Sequence, residues 1–515
     1  MPEVAYDTLA SGVAGIAHRW PCVGLAVAVV RGGSLVDFAG HGLADIASGT
    51  PVTPDTVFRI GSVTKLFTAV AVMQLWERGL VDLDAPANAY LRAVRLVPAR
   101  FGFRAPTVRQ LLTHTAGLRE VLRPSGLLRM RDLGETWPAG RAVPTLAEYY
   151  DGALRVDADP GTRWMYSNHG FAVLGQLITD VSGQPLDRYF RTHLLDPLEL
   201  RHTDLIRSDR GLGHRAIGYE LRARGAVVVP DYEVVTVGAG GLRSTPRELA
   251  RFLGALLDGG SFGGALGSAL LKPETVAELF APQYQPDRRL PGMGLAFFRS
   301  DLDGHRVVEH DGMLPGFDAQ VMLAPDDHVA VLALANGARR GLHWLTPEVH
   351  GVLRNLLGAR EASIRTDVPQ HPERWHELVG WYSLSAHRTD PARFALGAGA
   401  EVLVRRGQLM MRFLSPIPAL FHPVPLHPDD PDDATVFRVE LPALGAGTTR
   451  VVFGDGGGLM HLEFAPLSLR KRKPARSTCR VVGRTEGRRC EMGRRVAVRD
   501  VNLFVKVVGT APRSC

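Results

Sequence analysis

The sequence predicts an α+β fold: an antiparallel sheet flanked by helices with a helical subdomain, then a small all-β domain and a basic tail. Three observations carry this. Strand-like runs bounded by Gly, Pro and Asp turns sit at both ends of the first 358 residues. Capped helical patterns fill the middle. Beyond residue 372 only short strands between turns remain, ahead of a Lys/Arg-rich end. A chain of 515 residues exceeds one ordinary core. The expected divisions are residues 1–358, a polar linker at 359–372 with Pro369 and Pro372, a β-barrel or sandwich at 373–468, and a tail at 469–515.

Residues 4–18 read as an opening helix. Gly24–Val30 reads as a buried strand, Arg31-Gly-Gly33 as a turn and Leu35–Gly42 as its hairpin partner. Ser62–Arg78 is helical and closed by Gly79. Its apolar residues (Val63, Leu66, Phe67, Val70, Leu75) lie nearly all round, which predicts a helix at the protein centre. Lys65 on that helix is then a costly buried charge unless it is paired. Thr107 caps a helix to Thr115. Residues 119–143 hold Pro124, Gly126, Gly134, Pro138 and Gly140 and read as a long loop, a lid over a site. Helices follow at Thr145–Leu154, Phe171–Val181 and Leu186–Leu194. Gly238-Ala-Gly-Gly241 leads to a helix capped by Ser244 or Thr245 with Pro246 at its first position; no phosphate-loop pattern surrounds it, so a close backbone approach is expected. Gly292–Ser300, Arg306–His310, Ala319–Ala324 and His328–Asn336 read as an antiparallel sheet, with Trp344–Leu357 a helix packed on it. Strands at Leu378–Ser383, Glu401–Arg406, Leu409–Phe413, Thr435–Leu441, Thr448–Phe453 and Leu459–Leu467 compose the β domain.

Hydrophobic content of 45% with 22% charged residues is that of a soluble globular protein. The +7 net charge is the sum of +11 from Arg470 to Cys515 and −4 over the rest. The tail is read as a solvated end; nucleic acid is not an expected partner. Cys22, Cys479, Cys490 and Cys515 form neither a disulfide framework nor a zinc pattern. No signal-peptide pattern or apolar run of spanning length is seen, so the expected location is cytoplasmic, with no membrane contact.

Ser62 and Lys65 are three residues apart, so on a helix they share a face. A serine hydroxyl becomes a nucleophile when a base takes its proton. Ser62-Val-Thr-Lys65 alone is a weak signal, but Tyr166-Ser-Asn168 and His310-Asp-Gly312 supply partners. Lys65 and Tyr166 are candidate bases. The tyrosine needs a cation to lower its pKa from about 10, a role open to Lys65. Asn168 can hold Lys65 or a substrate amide. Gly312 would let the Met313 N–H join that of Ser62 as an oxyanion hole. Bland readings exist for each: a cap for Ser62, a packed aromatic for Tyr166, a strand-end histidine for His310. His114 and His169 are expected to be structural. A triad of Ser62 with His310 and Asp311 is disfavoured, because adjacent strand residues point to opposite faces.

These motifs, in this order, resemble the serine β-lactamase and penicillin-binding-protein superfamily, in its class C β-lactamase, DD-peptidase and esterase branch. Phe58-Arg-Ile-Gly-Ser-Val-Thr-Lys65, Leu111-Leu-Thr-His-Thr-Ala-Gly-Leu118, Trp164-Met-Tyr-Ser-Asn168 and Gly240-Gly-Leu-Arg-Ser-Thr245 add to the likeness, which covers residues 5–358. Residues 371–468 resemble the small barrel appended to some members. The resemblance implies acylation of Ser62, proton transfer shared by Lys65 and Tyr166, Asn168 in the same network, hydrolysis of the acyl-enzyme, and no cofactor or metal. The family's third motif is commonly Lys-Thr-Gly. His310 in its place weakens the anchor for a substrate carboxylate, and an inward Asp311 would weaken it further. The expected function is therefore a serine hydrolase of a small ester, amide or peptide. A β-lactamase or D-alanyl-D-alanine carboxypeptidase is the alternative within that chemistry, and a non-catalytic ligand- or peptide-binding homologue the alternative outside it. Oligomeric state is open.

Overall fold

In the computed structural model the hairpin at the N-terminus becomes the middle of a seven-stranded antiparallel sheet. Its strands are β1 (Gly24–Arg31), β2 (Ser34–Asp45), β3 (Thr50–Pro51), β4 (Phe298–Leu302), β5 (His305–Leu314), β6 (Phe317–Ala324) and β7 (Val329–Asn336), in the order β4-β5-β6-β7-β1-β2-β3. The chain thus returns after about 300 residues to pair Gly24–Arg31 with Asn336–Val329. The structure describes residues 8–120, 122, 135–206, 208, 211–263, 268–338, 344–384, 396–441, 446–472, 493–498 and 501–506. The expected lid at 119–143 falls mainly on 121 and 123–134, outside the described residues, as do Cys479, Cys490 and Cys515.

Side chains on a strand alternate between faces, and here both faces are covered. Leu25, Val27 and Val29 meet Val13 and Ile16 of α1 (Leu9–Arg19) and Val349 and Leu353 of the helix Leu345–Leu357. Ala26, Ala28, Val30, Val308 and Val321 face the helical half. There α2 (Thr64–Glu77), α3 (Asn168–Ser182) and α4 (Pro246–Leu257) share one core. Every residue of α2 from Thr64 to Leu75 is buried. Burial of its Leu, Val and Phe side chains, about 1.5–3 kcal/mol each, offsets the lysine among them.

Local chemistry moves several expected boundaries. The helix at Thr145 stops at Tyr150, because Asp151 turns left-handed at φ 52, and a strand follows at Ala153–Val156. β5 continues through His310-Asp-Gly312 to Leu314, since Pro315-Gly316, with Gly316 at φ +82, closes a tight hairpin onto Phe317. The strand expected from Gly292 begins at Phe298.

Residues 380–471 form a nine-stranded antiparallel sheet. Its two edge strands, Val424–Pro425 and His427–Pro428, are separated only by Leu426, so the sheet curls until its edges nearly meet. Tyr382, Phe413, Phe453, Met460 and Leu469 fill it. The chain divides into two units, Met1–Arg472 and Lys473–Cys515. The second contains an antiparallel hairpin of Gly493–Val498 with Val501–Lys506. Among the described residues no helix is long and apolar enough to cross a membrane.

Candidate active site

Ser62 lies in a 3-10 turn, Gly61–Val63, one step before α2. It is not a helix cap; no side chain caps α2. Gly61 adopts φ +52, and a Cβ there would stand 3.0 Å from the Met313 nitrogen. A Cβ on Gly312 would stand 2.1 Å from the Ile60 carbonyl oxygen and 3.1 Å from the Ser62 nitrogen. Two glycines facing each other thus let the β5 backbone run against the Ser62 turn.

The Lys65 side chain is fully buried, and its Nζ donates to Ser62 Oγ at 2.8 Å, Asn168 Oδ1 at 2.6 Å and the Ala239 carbonyl at 3.0 Å. Ala239 lies in the glycine-rich stretch, in a short helix Val237–Gly240. Tyr166 Oη donates to Ser62 Oγ at 2.9 Å. Tyr166 leads into α3, which starts at Asn168, three residues earlier than its apolar pattern indicates. Ser62, Lys65, Tyr166 and Asn168 are therefore in one hydrogen-bonded group.

Burial lowers the Lys65 pKa to about 8, against the carboxylates of Glu120, Glu135 and Asp311, which raise it. Loss of water around the Tyr166 phenol pushes its pKa well above 10, and Asp311 and Glu120 add to the rise. This corrects the expectation that Lys65 would lower it: one lysine does not outweigh desolvation and three carboxylates. Burial also takes His310 down to about 4, although Asp311 pulls the other way. The imidazole is thus neutral at neutral pH, in keeping with the weakened anchor expected there. His310 Nδ1–H donates to the Asp311 carbonyl at 2.6 Å, so Nε2 is an acceptor, and it is buried without a hydrogen-bond partner.

Asp311 does not share the face of His310. It pairs with Gln320, which reaches Glu309 and Thr346 on the Leu345–Leu357 side, whereas His310 pairs with Val321 on the helical side. Its charge still reaches the site, pulling the pKa of Lys65, Tyr166 and His310 upward.

Glu120 escaped the sequence reading. Its carboxylate accepts from the Asn168 backbone N–H at 2.6 Å and from Asn168 Nδ2 at 2.5 Å, fixing the amide that faces Lys65. No local pattern marks it, since its partner is 48 residues away. His169 holds it from behind: Tyr150 Oη lies 2.9 Å from Nδ1, and Nε2 lies 2.9 Å from the Glu120 carbonyl. His114 Nδ1 accepts from the Ser167 N–H at 3.1 Å, and its ring lies 4.3 Å from that of Tyr166. Both histidines serve the framework. Among the described residues no cluster of His, Cys, Asp and Glu is arranged to hold a metal ion.

A sheet of this order covered by a helical half, with the serine at their junction, is the β-lactamase/transpeptidase fold. The profile of the beta-lactamase family matches residues 15–343, and the chain belongs to that family. It is 28% identical over 356 residues to penicillin-binding protein 4 of Amycolatopsis lactamdurans, covering 67% of this chain and 87% of that protein. It is 30% identical over 335 residues to an unguisins hydrolase of Aspergillus campestris, covering 62% of this chain and 59% of that one. The octameric penicillin-binding protein homologue from Pyrococcus abyssi superposes with a TM-score of 0.57 at 22% identity, over 90% of this chain and 98% of that one. That likeness extends the shared fold through the barrel.

Proposed function

We propose that this protein is a serine hydrolase that forms an acyl-enzyme on Ser62 and hydrolyses a small ester or amide. The observation that carries the reading is Ser62 Oγ held at 2.8 Å from Lys65 Nζ and 2.9 Å from Tyr166 Oη. Lys65, with a pKa near 8, accepts the Ser62 proton as Oγ attacks the acyl carbon. Tyr166 keeps its own proton during the attack and donates it to the departing group, and the phenolate left behind recovers a proton directly from the Lys65 ammonium, whose Nζ lies 5.0 Å from its ring. Asn168 orients the amine. The Ser62 and Met313 N–H groups receive the developing oxyanion; one such donor is worth about 10²–10³ in rate. Water then releases the acyl group by the reverse route. His310 presents a neutral acceptor where a carboxylate substrate calls for a cation, which favours uncharged acyl groups.

A fluorophosphonate probe is expected to label the wild type and not Ser62→Ala. Steady-state rates on p-nitrophenyl butyrate, nitrocefin and a D-Ala-D-Ala peptide are expected to rank the ester first. Absence of both labelling and turnover would sink the reading and leave the ligand-binding alternative. The penicillin-binding relative favours a second reading, a β-lactamase or carboxypeptidase; turnover of nitrocefin or the peptide above the ester would select it.

A further inference from the structure

Trp164 stands between the barrel and the reactive group, and nothing in the proposed chemistry uses it. Among the described residues it is the one side chain from before residue 375 that packs on the barrel's apolar core. Its indole also lies 6.1 Å from the Tyr166 ring, 6.1 Å from His114 and 6.1 Å from Phe298, which in turn lies 5.3 Å from His310. Trp164 Nε1–H donates to Met293 Sδ at 3.3 Å. Met293 closes the segment 284–293, and that segment is fastened to the barrel by Arg289. The Arg289 guanidinium donates to Asp433 at 2.6 Å, Thr435 at 2.7 Å and the Phe453 carbonyl at 3.0 Å, while Asp287 of its own segment holds it from the side. Leu290 packs with Val436 and Val452. The barrel therefore reaches Trp164 directly through its core and indirectly through Arg289 and Met293.

We propose that Trp164 is a positioning residue through which the barrel holds the Tyr166 hydroxyl on Ser62. The inference rests on the serine-hydrolase reading. Tyr166 approaches α3 through a turn, and its ring is held in place by neighbouring rings. Removing the outermost ring lets the phenol swing away from Oγ, and a 1 Å error of this kind costs about 10²-fold in rate. A loosened barrel has the same effect at a distance.

The test uses the full chain and measures both the rate of Ser62 labelling by the fluorophosphonate and the kcat and KM for p-nitrophenyl butyrate. Trp164→Ala is expected to lower the labelling rate and kcat about 30-fold with KM within about threefold. Trp164→Phe, which keeps a ring against Tyr166, is expected to recover most of that loss. Arg289→Ala, which touches none of the reacting atoms, is expected to lower both about fivefold. The double variant should match Trp164→Ala alone, because the two act along one route. Folding of each variant is checked by its melting curve. Wild-type rates in folded Trp164→Ala, or multiplying losses in the double variant, would overturn the proposal and leave the hydrolase reading intact. Failure of the wild type to label would overturn both.

Discussion

Lys65 carries its charge in a helix that is buried on every side, and the resulting pKa near 8 sets how the site answers pH. A base must be unprotonated, so kcat/KM for p-nitrophenyl butyrate should rise with pH and level off above about 8. A break near 6.5 would instead assign the base to an imidazole. Glu120 acts on this value because its carboxylate favours the protonated amine. Glu120→Gln should therefore move the break to lower pH, while kcat falls about tenfold as the Asn168 amide loses its charged partner. His310 is already neutral across this range and should not add a limb of its own. His310→Lys places a charged donor where the family commonly has one. It is expected to improve kcat/KM for the carboxylate-bearing nitrocefin about tenfold relative to the ester, read from paired rate measurements.

At the scale of elements, the site depends on a strand lying against a 3-10 turn. A Cβ at Gly312 would meet the Ile60 carbonyl oxygen at 2.1 Å, and both groups are backbone, so neither can rotate aside. Gly312→Ala should push β5 off the Ser62 turn. A loss of about 10²-fold in labelling rate is expected, with destabilisation of about 1–3 kcal/mol in denaturant melts. How far such elements could be read from sequence follows from the range of the forces that form them. The Ser62–Lys65 face, the Thr107 cap and the buried run of β1 depend on neighbours within a few residues, and all were legible. The opposite faces of His310 and Asp311 follow from strand alternation, once β5 is known to run past them. Glu120 and Arg289 were not legible. Their partners lie 48 and 144 residues away, and a carboxylate or guanidinium bound for a distant backbone has no local signature. The directions of the Tyr166 and His310 pKa shifts were also hidden, because both depend on how much water the folded surroundings remove.

For the whole molecule, charge and chemistry are carried by different parts of the chain. Arg470 to Cys515 hold +11, and the remaining residues hold −4, so the basic character belongs to the end. The groups that tune the nucleophile, Lys65, Glu120 and Glu135, all lie within the Met1–Arg472 unit. At physiological salt a charge in water is screened over about 8 Å, and the buried amine already has its own carboxylates, so little leverage on it is expected of the tail arginines. They retain leverage on a polyanion, where each contact releases counterions and gives a steep salt dependence. A chain ending at Arg472 is therefore expected to keep kcat/KM for p-nitrophenyl butyrate within about twofold, with the acid limb unmoved. On a heparin column at pH 7 it should elute at much lower salt than the full chain, because residues 473–515 carry +8 and the remaining charge is −1. A tenfold loss of turnover on truncation would mean that the tail completes the site. Retention at the full chain's salt would place the polyanion-binding surface on the body, where the sequence shows a net negative charge.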